Sequence, residues 1–299
     1  MTGEIMSRIS TLATAVAAAL LLSSSVALAD LTVTTVDNNA GPESITAAPD
    51  GGLILGSANT PFIYRSAKGA TEARKFIDAS GDGAVTFLGV LSDKTTNTLW
   101  ACELKAAPDG KGRASTLVGY DLKTGKGKSR WVLPGASNVC NDMSVGPDKA
   151  LYISDTGNGR IYRLKPGATD AELVLEDKTN LGGIDGLTFL NGVLYANNVQ
   201  AGTIWRVPLD SSGKAGAAVA IKLDATLKGP DGMRALGNAI FVAENRNQRA
   251  DMITIIGDTG HVTMVLGGLA TPTAIEPVGN ILWVGDRIRD NAVAIPMPK

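Results

Sequence analysis

The sequence predicts an all-β fold, a β-propeller of six four-stranded blades around a central channel. Three observations carry that expectation. A unit of about 45 residues recurs along the chain, in the range typical of propeller blades. Short runs rich in Val, Ile, Leu, Tyr and Trp are bounded by Gly, Pro, Asn and Asp, and the 35 glycines fit frequent tight reversals. Helical signals are nearly absent beyond the first 29 positions.

The units read, in order, "GPESITAAPDGGLILGS" (41–57), "FLGVLSDKTTNTLWACE" (87–103), "CNDMSVGPDKALYIS" (140–154), "GIDGLTFLNGVLYAN" (183–197), "GPDGMRALGNAIFVAEN" (229–245) and "ATPTAIEPVGNILWVGD" (270–286). Each is a strand, a tight turn and a second strand. Most are followed by a third strand of the "GRIYRL" or "GTIWRV" kind. The openings at Asp142, Asp185, Asp231 and Thr273 fall 43, 46 and 42 residues apart. Glu43 and Asn141 are 98 positions apart, which accommodates two units and an insertion near 105–115. "LTVTTVD" (31–37) is placed to form the outer strand of the last blade, closing the ring and removing exposed sheet edges.

Residues 6–29, "MSRISTLATAVAAALLLSSSVALA", have the form of a secretory leader: Arg8, an apolar run to Leu22, and Ala27-Leu28-Ala29 as an A-x-A cleavage site. The run is too short for a stable membrane span. A signal peptide at 1–29 and one propeller domain at 30–299 are therefore expected, with the protein delivered to the periplasm or outside the cell. The net charge of -1 disfavours nucleic acid, which requires a basic face. No membrane partner is expected after the leader is removed, and the protein is expected to be a monomer.

Residues that open equivalent inner strands converge on the channel axis although they lie far apart in sequence. Here those residues are Glu43, approximately Gly89, Asn141, Asp185, Asp231 and Thr273. Four of them offer hard oxygen donors, which suit calcium or another divalent cation. The single His261 and two cysteines do not support a zinc site. An ordinary alternative exists at each position, because Asp and Asn before Gly are common turn residues. "DG" at 185–186 and 231–232 could be only that.

Taken in order and spacing, "GPES", "CNDMSV", "IDGLTF" and "GPDGMRA" resemble the senescence-marker-protein/gluconolactonase family, also called regucalcin-like proteins. The resemblance covers about residues 40–295. It implies a calcium-centred six-bladed propeller in which Glu43, Asn141 and Asp231 are metal ligands and Asp231 is a candidate base. It further implies hydrolysis of a small lactone or related ester, with the metal polarising the carbonyl and Asp231 or Asp185 activating water. Three departures stand out: Asp185 where relatives usually carry Asn, "PES" in the first blade, and Val139 where sugar-lactone enzymes can carry Arg. The alternative is a non-catalytic propeller that binds a ligand or protein and keeps calcium for structure.

No G-x-S-x-G elbow is present, and His261 falls on an outer hairpin, which excludes a histidine-based dyad. Cys102 and Cys140 fall on facing ends of neighbouring blades, so a disulfide is expected, against the alternative of two separate buried thiols. The four tryptophans are expected in the core, three of them at equivalent repeat positions.

Overall fold

The structure, a computed structural model, describes residues 31–106 and 113–298. The leader at 1–29 lies outside those residues, as does part of the insertion expected near 105–115. The described chain is nearly all strand; the exceptions are a 3-10 turn at Ser80–Asp82 and a one-turn helix at Lys178–Leu181. First and second strands of each unit are joined by turns that need a left-handed residue, supplied by Gly51, Asn97, Lys149, Asn191, Gly237 and Gly279.

The strands form antiparallel sheets that each run outward from an inner strand in sequence order. One sheet runs Ala84–Asp93, Thr98–Ala106, Arg113–Asp121, Gly127–Val132. A second runs Cys140–Val145, Leu151–Asp155, Arg160–Leu164, Glu172–Glu176, and a third Ile184–Leu190, Val193–Asn198, Thr203–Val207, Val219–Ala220. In the next, Pro230–Leu236, Ala239–Glu244, Arg249–Ile256 and Thr259–Leu266 gain a short parallel edge, Lys222–Leu223. The last sheet is eight-stranded and joins both chain ends. Pro42–Ala47 to Glu72–Asp78 form one half, and Thr32–Thr35 with Asn291–Pro296, Ile281–Asp286 and Pro272–Val278 form the other.

Thr32–Thr35 thus takes the outer position expected of "LTVTTVD", pairing antiparallel with Asn291–Pro296 in the register Thr32↔Val293. Neighbouring inner strands touch in succession, and Pro272–Val278 touches Pro42–Ala47. Hydrogen bonds tie neighbouring sheets together: Thr273 Oγ1 donates to Pro42 O (2.8 Å), Ser154 Oγ to Asp185 O (2.8 Å), and Ser44 Oγ accepts from Val90 N (3.1 Å). Apolar clusters fill the wedges between sheets. In one of them Tyr152 and Ile161 pack against Leu187, Leu194 and Ala196, all buried.

Cys102 is disulfide-bonded to Cys140, 38 residues on, with Cα atoms 5.2 Å apart. Cys102 lies mid-strand rather than at a strand end, because its strand continues to Ala106. The bond staples the second strand of one sheet to the inner strand of the next. Closing a loop of that length removes about 4 kcal/mol of unfolded-state entropy in the simplest treatment. Reduction, or Cys102→Ala with Cys140→Ala, is expected to lower the unfolding free energy by about 2–4 kcal/mol, read as a lower denaturant midpoint; an unchanged midpoint would show that the bond adds nothing.

The tryptophans are not in equivalent places. Trp100 and Trp283 lie on second strands, Trp205 on a third and Trp131 on an outer one. Trp131 packs edge-on to Tyr162 of the adjacent sheet, with centroids 5.2 Å apart. The aromatic recurrence tracks the wedges between sheets, not a fixed strand position.

Candidate functional site

Inner strands share an irregularity at their first residues. Pairing with the second strand shifts between Pro42 and Ile45, Cys140 and Met143, Ile184 and Leu187, Pro230 and Met233, and Pro272 and Ala274. A bulge of this kind bends the strand and re-aims a side chain. The residues so placed are Glu43, Asn141, Asp185, Asp231 and Thr273. Asp185 and Asp231 are therefore strand residues, and the turn alternative for "DG" is overturned.

The glycines have another purpose. A Cβ on Gly186 would stand 2.7 Å from the carbonyl oxygen of Asp231, and one on Gly232 2.6 Å from that of Thr273. Each lets the next inner strand approach closely. The motif "DG" thus packs successive inner strands against one another.

Four of the predicted site residues come together. Asn141 Nδ2 donates to Asp185 Oδ2 (2.8 Å) and to Thr156 Oγ1 (3.1 Å). Asp231 Oδ2 accepts from Asn245 Nδ2 (2.8 Å), and its Oδ1 from the Gly232 amide (3.0 Å). Glu43 Oε2 accepts from Arg287 Nη1 at 3.2 Å. All four are buried or nearly so. Thr273, in register with them, instead turns its hydroxyl to Pro42 O.

Three carboxylates in one low-dielectric space resist ionisation. Burial pushes Asp185 well above the usual carboxylate range, and the charges of Glu43 and Asp142 push it further, against the Asn141 amide. Asp231 is raised in the same way, by burial first and then by Asp185 and Glu43. Glu43 is raised by burial, which outweighs the nearby Arg287. The three acids therefore share one electrostatic field, and Arg287 also acts on Asp231.

Beside this ring runs a network that sequence reasoning missed. Arg234 grips Asp142 with both terminal nitrogens (Nη1–Oδ2 2.7 Å, Nη2–Oδ1 3.0 Å), and its Nε lies 3.7 Å from Glu276 Oε2. Asp142 Oδ2 also accepts the Leu187 amide (3.2 Å), and Glu276 Oε1 the Ala47 amide (2.8 Å). One buried guanidinium thus links inner strands from several sheets. The signal was present in "PDGMRA", where an arginine stands inside an inner strand. Arg287 and Asn245, at the ends of separate second strands, carried no signal of their own.

The donor chemistry fits a hard divalent cation. Three carboxylates less one guanidinium leave two negative charges, and the amide oxygens of Asn141 and backbone carbonyls nearby are of the right kind. As arranged, however, each acid is engaged by its own polar neighbour. Among the described residues no three of His, Cys, Asp and Glu form a ready cage. An ion would have to draw the side chains inward. His261 stands apart from all of this, exposed on an outer strand and paired with Asp224.

No family model matches the sequence, and no curated relative does either. Among solved structures, a protein assigned as a gluconolactonase superposes with a TM-score of 0.67 at 16% identity, over 91% of this chain and 95% of that one. Virginiamycin B lyase from Staphylococcus aureus gives 0.64 at 14% identity, over 90% and 99%. The PQQ-bound aldose sugar dehydrogenase from Streptomyces coelicolor gives 0.62 at 16% identity, over 89% and 97%. These neighbours are β-propellers with different chemistries; at such identity the likeness establishes the architecture alone, and this chain is a β-propeller.

Proposed function

We propose that the chain is an exported, monomeric hydrolase of a small lactone or related ester, dependent on calcium or another divalent cation at the channel mouth. The observation that supports it most is the convergence of Glu43, Asp185 and Asp231, buried together and each raised in pKa, the two aspartates in part by the neighbouring acids. Taking the eight-stranded sheet as two units joined edge to edge would make six blades, four of which carry an oxygen-donor side chain at the opening. The leader-like N-terminus supports export to the periplasm or beyond.

Glu43, Asn141, Asp185 and Asp231 would hold the ion. When bound, it supplies Lewis-acid polarisation of a substrate carbonyl. Asp231 is the general base. Its Oδ2 is fixed by Asn245 and its Oδ1 by the Gly232 amide, so its orientation is set before substrate arrives. Burial and its acidic neighbours raise its proton affinity, which suits a base working near neutral pH. It takes a proton from water as the oxygen of that water bonds to the carbonyl carbon. The proton then passes to the departing ring oxygen, and the open hydroxy acid results. Asp185, carrying the Asn141 amide, orients water and can share the proton.

A non-catalytic propeller with a structural cation is the second reading, favoured by the Arg287–Glu43 contact that occupies one acid. Turnover of a panel of γ- and δ-lactones, before and after chelation, separates the two. Hydrolysis abolished by chelator and restored by calcium is expected; hydrolysis unaffected by chelator, or none with any ester, sinks the proposal.

A further inference from the structure

We propose that Glu244 is the positioning residue for the Asp231 end of the channel mouth, and that its hold depends on one proton shared with Asp251. Glu244 ends the strand Ala239–Glu244 and is fully buried. Its Oε2 accepts the backbone amide of Lys228, at the entrance to the inner strand that carries Asp231, and also Asn247 Nδ2 (2.8 Å). The next residue in the chain, Asn245, donates to Asp231. Asn245 N also donates to Gly229 O (2.9 Å), and Arg246 N to Lys228 O (3.2 Å). One carboxylate therefore ties together the two segments that present Asp231 and its amide partner.

Other sheets use a polar residue at the same place. Asp155 accepts from Val139 N (2.8 Å), and Asp286 from Ala270 N (2.6 Å) and Thr271 N (3.0 Å). What sets Glu244 apart is a second buried acid. Asp251 is also fully buried, and Arg249 Nε lies between the two, 2.8 Å from Glu244 Oε1 and 3.0 Å from Asp251 Oδ2. Asp251 Oδ1 has no hydrogen-bond donor. One guanidinium cannot neutralise two buried carboxylates, but a proton on Asp251 donating to Glu244 satisfies both charge and bonding.

Burial and Glu244 push Asp251 up to about 7, with Arg249 opposing, while Glu244 itself is lowered by its donors despite burial. Among the described residues, Arg249 is the charge that acts on the pair. The flanking strand Thr259–Leu266 offers only His261, paired with Asp224, and the strand Pro272–Val278 only Glu276, which faces Arg234. A folded pKa above the unfolded value means the stabilisation is complete at acid pH and lost as pH rises through about 7. Above that, two anions face one cation, and the clasp on Lys228 and the Asn245 loop loosens.

The inference rests on neither a metal nor a reaction, so it stands or falls apart from the hydrolase reading. The test is amide exchange of Lys228 and Asn245 from pH 6 to 8.5, corrected for intrinsic exchange, with a carboxyl NMR titration of Asp251. Protection in the unmodified protein is expected to drop about tenfold or more across the range. Asp251→Asn, which keeps a donor toward Glu244 and cannot ionise, should hold protection constant; Glu244→Gln should lose it even at pH 6. Equal pH dependence in Asp251→Asn and unmodified protein would overturn the proposal. So would an Asp251 carboxyl that titrates below pH 5, a result that needs no variant to fold.

Discussion

Asp231→Asn is expected to lower lactone turnover by roughly 10²- to 10⁴-fold, the usual contribution of a positioned general base. It should not weaken the ion-free fold. The substitution keeps shape while deleting one of three buried charges that repel each other. The sign follows from linkage. Asp185 and Asp231 have folded pKa values raised above the unfolded ones, so their favourable contribution is complete at acid pH and lost as pH rises through the raised values. Above the raised values the ion-free protein therefore carries a repulsion that Asp231→Asn relieves, and there its melting temperature should rise or stay level. Full hydrolysis by the variant, measured on the same substrate, would contradict the assignment.

Arg234→Met is expected to have the opposite character: a large loss of stability. The guanidinium is buried with Asp142 and Glu276, and removing it leaves the two carboxylates with their amide donors but without the counter-charge it supplies. Breaking a buried pair from one side costs about 3–5 kcal/mol, or roughly ten degrees in melting temperature for a chain of this size. Arg234→Lys should rescue little, because a single ammonium cannot reproduce the two-pronged contact with Asp142. Adding Asp142→Asn to Arg234→Met should recover part of the loss. Denaturant unfolding of the single and double variants checks both statements; an Arg234→Met protein as stable as its parent would show that the network is not structural.

The sequence carried the architecture further than the chemistry. Strand-turn-strand units declare themselves locally, because alternation and left-handed turn residues such as Asn97 and Asn191 lie within a few positions of one another. The openings at Glu43, Asn141, Asp185 and Asp231 were legible because the repeat puts them in register. The purpose of "DG" was not, since a bulge beside a close-packed neighbour and a tight turn use the same two letters. Arg287, Asn245 and the Asp142–Arg234–Glu276 network depend on which strands from different sheets meet, and no local pattern encodes that. The pairing of Glu244 with Asp251 is similar: two acids seven residues apart meet only because the hairpin register brings them together.

The most direct test of the central claim, that the acidic mouth binds a divalent cation, is thermal unfolding at pH 7 with chelator and then with millimolar calcium. At a hundredfold excess over the dissociation constant, calcium should add about 2.7 kcal/mol, or roughly 5–10 °C. The gain should shrink as pH falls, because protons compete for the same raised carboxylates, and it should vanish in Glu43→Gln. A melting temperature indifferent to calcium, or a shift that survives Glu43→Gln, would contradict the account.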